Sequence, residues 1–72
     1  MPFTGSAEID ATVGRVAPDV LELLADGVAR SKAAIVGALA GRHDAEDVAL
    51  TLVRLAVTER VRETGGRYVS NT

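Results

Sequence analysis

Cysteine is absent, and with it every disulfide and every thiolate metal site. His43 is the only histidine, so no histidine cluster can build a metal centre. Tryptophan is absent too, and Phe3 and Tyr68 are the only aromatics, which leaves Val, Leu, Ile and Ala to make a core. No apolar run approaches the roughly 20 residues that a membrane-spanning helix needs. The start of the chain lacks the basic, apolar and small-residue succession of a signal peptide, so a cytoplasmic protein without membrane attachment is expected. A phosphate-cradling glycine loop, a nucleophile motif and metal-ligand spacing are all missing, and neither an enzyme nor a cofactor is expected. Lysine occurs once, at Lys32, against seven arginines; with the many Ala, Gly and Val, that balance points to a GC-rich bacterial or phage genome.

What is present is one small domain of 72 residues. A chain this short buries only about 60% of its unfolded surface, so self-association is one way to complete its core. The net charge of −2 is unevenly spread. Residues 1–26 set five carboxylates against Arg15, whereas residues 27–72 hold seven cations against five acids. The C-terminal part is mildly basic, less so than a strong nucleic-acid binder would be.

Residues 1–5 hold Pro2 and Gly5 without periodicity and read as a flexible N-terminus, followed by a single domain over 6–72. Ser6 is placed to cap a first helix over 6–17, with Glu8 and Asp10 in its opening turn and Ile9, Val13 and Val16 on one face. Pro18 suits the first position of a helix better than an interior, so a new helix is expected from Pro18 to Ala25, burying Val20, Leu21 and Leu24 and ending at Gly27 in a left-handed conformation. Residues 28–30 are extended in character. Ser31 caps the next helix, Lys32 to Ala40, with Ile35 and Leu39 inward; Gly37 within it suggests that another helix passes close by. After a turn at 41–43, Asp44 is expected to cap a long helix through its side chain, and Val48, Leu52 and Leu55 form the inward stripe. Gly65-Gly66 can both take positive φ, as a two-residue type I′ hairpin requires. That turn pairs Thr64 with Arg67, Glu63 with Tyr68, Arg62 with Val69 and Val61 with Ser70, putting Val61 and Tyr68 on the core face and Arg60, Arg62 and Arg67 on the other.

Two helices joined by a short turn and followed by a hairpin resemble a winged helix-turn-helix domain over residues 18–70. Ser31 to Gly41 looks like the first helix of the motif, Arg42-His43 its turn, and Asp44 to Thr58 its recognition helix. Leu52-x-x-Leu55 leading to Val61 is similar to the passage into the wing, and Gly65-Gly66-Arg67-Tyr68-Val69 to the wing tip and return strand. The fold class implied is mainly α, three to four helices with a C-terminal β-hairpin wing. Glu59 departs from the family, where glycine often stands between recognition helix and wing; it is expected either to carry strain or to end the helix differently.

By that resemblance the chain is a small DNA-binding protein, a transcriptional regulator or a control protein of a phage or mobile element, with double-stranded DNA as partner. Helix 44–58 would enter the major groove, and wing residues Arg60, Arg62 and Arg67 would hold the phosphate backbone. Lys32, Arg42 and His43 would lie near phosphates, and Arg54 would read a base. The bland alternative is that these charges solvate an exposed face and blunt an edge strand. Two features weigh against DNA. Asp44, Glu46 and Asp47 put three carboxylates at the helix start, facing a polyanion. Leu50, Val53 and Val57 also make a second apolar stripe on the face that DNA would leave wet. The helix carrying Ile9, Val13 and Val16 could cover that stripe, as could a second copy in a homodimer or a protein partner, and the expected partner or dimer interface is Ile9, Val13, Leu50, Val53 and Val57. The alternative function is therefore a winged-helix protein–protein interaction module that uses the apolar face of helix 44–58 without DNA.

Overall fold

A computed structural model describes the backbone of residues 4–71 and the side chains from Asp10 to Asn71. Ile9, expected on the buried face of the first helix, has its side chain outside the described residues. The elements run α1 (Thr4–Leu23), β1 (Arg30–Ser31), α2 (Lys32–Leu39), α3 (Ala45–Val57), β2 (Val61–Thr64) and β3 (Arg67–Ser70). The three strands form one antiparallel sheet in the order β1-β3-β2. Three helices followed by a hairpin that also captures a short strand from between α1 and α2 is a winged-helix-like layout, mainly helical.

Among the described residues the core is aliphatic: Val16 and Val20 of α1 and Leu24 just past its end, Ile35 and Leu39 of α2, Val48, Leu52 and Leu55 of α3, and Val61 of β2. Among the described residues the one buried polar side chain is Thr51, whose hydroxyl donates to the Asp47 carbonyl at 2.8 Å and so needs no other partner. Tyr68, Leu21 and Val36 pack half-buried around this cluster.

Four local expectations are corrected. No new helix begins at Pro18; α1 runs through it. The stripe Val13, Val16, Val20, Leu24 keeps helical spacing across the proline, and its last three members are fully buried, so breaking the helix would break the core line. Pro18 itself is exposed, and the carbonyl it cannot serve belongs to Gly14, exposed one turn earlier, where water can reach it. Ser6 is not the cap, because the backbone is already helical at Thr4, and no acidic residue lies in the first turn. Gly37 marks no close approach: a Cβ built there meets nothing within 4 Å. Asp44 is the N-cap residue of α3 in extended conformation, yet its side chain makes no capping bond. Its carbonyl accepts from the Val48 amide at 3.0 Å, and Glu46 and Asp47 supply the favourable negative charge at the helix start.

Other expectations hold. The Ser31 hydroxyl accepts from the Ala34 amide at 3.2 Å. Gly27 takes φ 77°. The extended segment expected at 28–30 is a strand one residue further on, pairing Arg30 with Tyr68 and Ser31 with Arg67. The hairpin has all four expected pairs, and Gly65 and Gly66 take φ 59° and 81°.

The exit from α3 is where the strain foreseen at Glu59 resides. Glu59 has φ 61°, the one positive value at a non-glycine residue among those described. Its amide donates to the Ala56 carbonyl at 3.1 Å, and the Arg60 amide to the Leu55 carbonyl at 2.8 Å. Together these form a Schellman ending, normally completed by glycine at the left-handed position. Asn71 then clamps the base of the hairpin. Its side-chain amide donates to the Glu59 carbonyl at 2.9 Å, its backbone amide donates to the Arg60 carbonyl at 3.1 Å, and its side-chain oxygen accepts from Arg62 at 3.1 Å.

Candidate interaction surface around the third helix

Helix α3 is thirteen residues with its inward side set by Val48, Thr51, Leu52 and Leu55. At 100° per residue, the direction opposite that stripe is occupied by Glu46, Leu50, Val53 and Val57. Val53 is 58% exposed and Val57 73%, the two most exposed large apolar side chains among the described residues. With Arg54 and Thr58, they and Leu50 line a shallow concavity. A second groove lies between α2 and α3, lined by Ala33, Val36, Ala45 and Ala49, with Lys32 and Glu46 at its edge. The outward side of α3 is therefore largely apolar between its acidic first turn and the polar groups of Arg54 and Thr58 near its end.

The described side chains of α1 leave Val53 and Val57 uncovered, while Leu50 is half-buried. Val16 faces the core, Val13 is half-buried, and Val53 and Val57 stay exposed. Of the residues expected to cover the second stripe from within the chain, Val13 and Val16 leave Val53 and Val57 open, and Ile9 lies outside the described side chains.

The residues expected to meet DNA fall into two groups. Lys32, Arg60, Arg62 and Arg67 are exposed. Arg62 and Arg67 sit on the hairpin face opposite Val61 and Tyr68, as the register requires, although Arg62 also reaches Asn71. The other group is engaged within the chain. His43 Nε2 lies 2.6 Å from Asp19 Oδ2, and its side chain is only 15% exposed. Arg42 Nη1 is 3.6 Å from the other oxygen of the same carboxylate. Arg54 Nη1 lies 3.7 Å from Asp10 Oδ1, drawn toward α1. Asp19 therefore ties the turn before α3 to α1, a role nothing in the local sequence announces, because the partners lie 24 residues apart.

A further ion pair closes α1. The Arg30 guanidinium donates to both Asp26 oxygens at 2.9 and 2.8 Å and to the Leu23 carbonyl at 3.0 Å. Those bonds, with a third from the Val28 amide at 3.0 Å, hold the Asp26 carboxyl well below the usual carboxylate range and push Arg30 up. Among the described residues no three His, Asp or Glu side chains converge as metal ligands would. No described helix is long and apolar enough to cross a membrane.

No family model, no curated protein and no solved structure matches this chain.

Proposed function

We propose that this chain is a small winged-helix protein-interaction module that engages a protein through the outward side of α3. The observation that carries the reading is the apolar line of half-buried Leu50 and exposed Val53 and Val57 on the helix that a DNA-binding winged helix would present to the major groove. Base edges and phosphates are met by donors and cations. Here that side offers Glu46 and aliphatic carbons, and Arg54, the one cation of α3 itself, lies 3.7 Å from Asp10. Exposed apolar side chains in a contiguous line are what a protein partner desolvates with gain.

A second reading, a DNA-binding regulator, draws support from the exposed cations Lys32, Arg60, Arg62 and Arg67. In that case the wing arginines supply the phosphate contacts and α3 contributes little.

Photo-cross-linking tests both. A benzophenone amino acid replaces Val53 in one chain and Arg67 in another, and each is irradiated in the cells that make the protein. The interaction reading expects adducts at position 53 that survive nuclease and are lost with protease. Nuclease-sensitive adducts at both positions would favour the DNA reading and overturn the first. Absence of polypeptide adducts at position 53 also overturns it. Titration of ¹⁵N-labelled protein with random duplex DNA at low salt completes the comparison: the interaction reading expects no shifts in α3, and the DNA reading expects salt-sensitive shifts at Arg60, Arg62 and Arg67.

A further inference from the structure

The outward side of α3 has a symmetry that points to its occupant. The apolar pair Leu50 and Val53 straddles the midpoint of the helix, which runs Ala45–Val57. Glu46 and Val57 stand at equal distances outward from the point midway between Leu50 and Val53, just past the helix centre at Thr51. Laying a second α3 antiparallel across the first therefore sets Leu50 against the partner's Val53 and Glu46 against the partner's Val57 in one register. Arg54 and Thr58 line the same concavity as Val57, so the carboxylate of Glu46 arrives beside a guanidinium. The Arg54 side chain is 43% exposed and lies 3.7 Å from Asp10 Oδ1, so in the dimer it stands between two carboxylates, Asp10 of its own chain and Glu46 of the second copy. A parallel arrangement would instead stack Glu46 on Glu46 and Arg54 on Arg54. Antiparallel helices also oppose their dipoles favourably. Small Ala49 beside Leu50 lets the two backbones approach.

From this self-complementarity we infer that the partner covering α3 is a second copy of this chain, docked as an antiparallel α3 pair about a two-fold axis near Leu50 and Val53. The interface is isologous: each contact occurs twice, so every charge and every methyl counts double. The inference rests on the protein-interaction reading of α3 and names its partner. It also removes α3 from any DNA groove while leaving Arg62 and Arg67 of each wing exposed. A helix of this length, about 20 Å, buries a modest area, so the dimer is expected at the weak end of specific interfaces.

Sedimentation equilibrium of the full chain over a wide concentration range is the test. The wild type should move from the 7.5 kDa monomer toward twice that mass as concentration rises. Val53→Asp should stay monomeric; since Val53 is exposed, circular dichroism should show an unchanged fold. Glu46→Arg should raise Kd about fivefold, by placing like charges at both ends of the interface. Glu46→Arg combined with Arg54→Glu should return Kd toward the wild type, a rescue that only the antiparallel register provides. A wild type that remains monomeric at millimolar concentration overturns the dimer. So does a dimer indifferent to Val53→Asp, or one in which the charge swap fails to rescue. If the chain is monomeric yet the probe at position 53 captures a different polypeptide, the self-pairing fails and the interaction reading stands. If the probe captures no polypeptide at all, both fail.

Discussion

Replacing Glu59 by glycine should stabilise the protein, and the reason lies in one backbone angle. At φ 61° the Cβ of Glu59 crowds its own carbonyl, a conformation glycine adopts freely. Everything the residue contributes to the fold is made by its backbone: the amide bond to Ala56 and the carbonyl acceptance from Asn71. Glycine retains both. Relief of the left-handed strain is worth 1–2 kcal/mol, from which the greater freedom of glycine in the unfolded chain subtracts a part, leaving a gain of about 1 kcal/mol. For a domain of this size that raises Tm by roughly 4–8 °C. The assay is thermal and urea unfolding followed by far-ultraviolet circular dichroism, with Glu59→Ala as the control. Alanine removes the same carboxylate but keeps the Cβ, so it should gain nothing. If glycine and alanine shift Tm equally, the carboxylate and not the backbone is responsible, and the strain argument is refuted.

Four further outcomes follow from the same structure. Gly37→Ala, on a helix face with open space around the new methyl, should stabilise by about 0.5–1 kcal/mol in urea unfolding. Pro18→Ala should restore a donor to the Gly14 carbonyl within α1 and raise stability by about 2 kcal/mol, less than the full helix-interior penalty because the proline also restricts the unfolded chain. His43→Ala removes the tie between Asp19 and the turn before α3 and should cost about 1 kcal/mol, with proteolysis of the turn at 41–43 accelerated. Asp26 has its folded pKa depressed, so its ion pair with Arg30 stabilises the protein at pH values above its unfolded pKa. That contribution is lost as pH falls from about 4 downward through the folded pKa, and Asp26→Asn should flatten the acid limb of Tm against pH.

Features governed by local chemistry were legible in the sequence. Gly65-Gly66 dictated a turn with two positive φ values, and the turn dictated the pairing of every strand residue from Val61 to Ser70. The stripe Val48, Leu52, Leu55 set which side of α3 faces inward, and so which side is left out. Pro18 misled because a local preference was weighed above a tertiary one: the buried line through Val16, Val20 and Leu24 outweighs one missing hydrogen bond at a wet carbonyl. Gly37 misled in the opposite sense, since glycine on an exposed face needs no neighbour to explain it. The engagement of His43 and Arg42 with Asp19, and of Arg54 with Asp10, joins residues far apart in sequence, and only the packing of α1 across α3 brings them together. The apolar line Leu50, Val53, Val57 was visible as a stripe, but whether α1 covered it was a question of helix placement.

The strand order carries a consequence for how the chain is assembled during synthesis. β3, the last strand to be made, is the central one, so β1 and β2 each have no neighbour until residues 67–70 have emerged. The segment carrying Arg30 and Ser31 must therefore wait for a partner that arrives 36 to 38 residues later. Until then α1, α2 and α3 can gather Val16, Val20, Leu24, Ile35 and Leu52, but the core lacks Val61 and the cover of Tyr68. A nascent chain halted before Tyr68 would be a helical intermediate with an open flank, and addition of the final strand would close the sheet on both sides in one step.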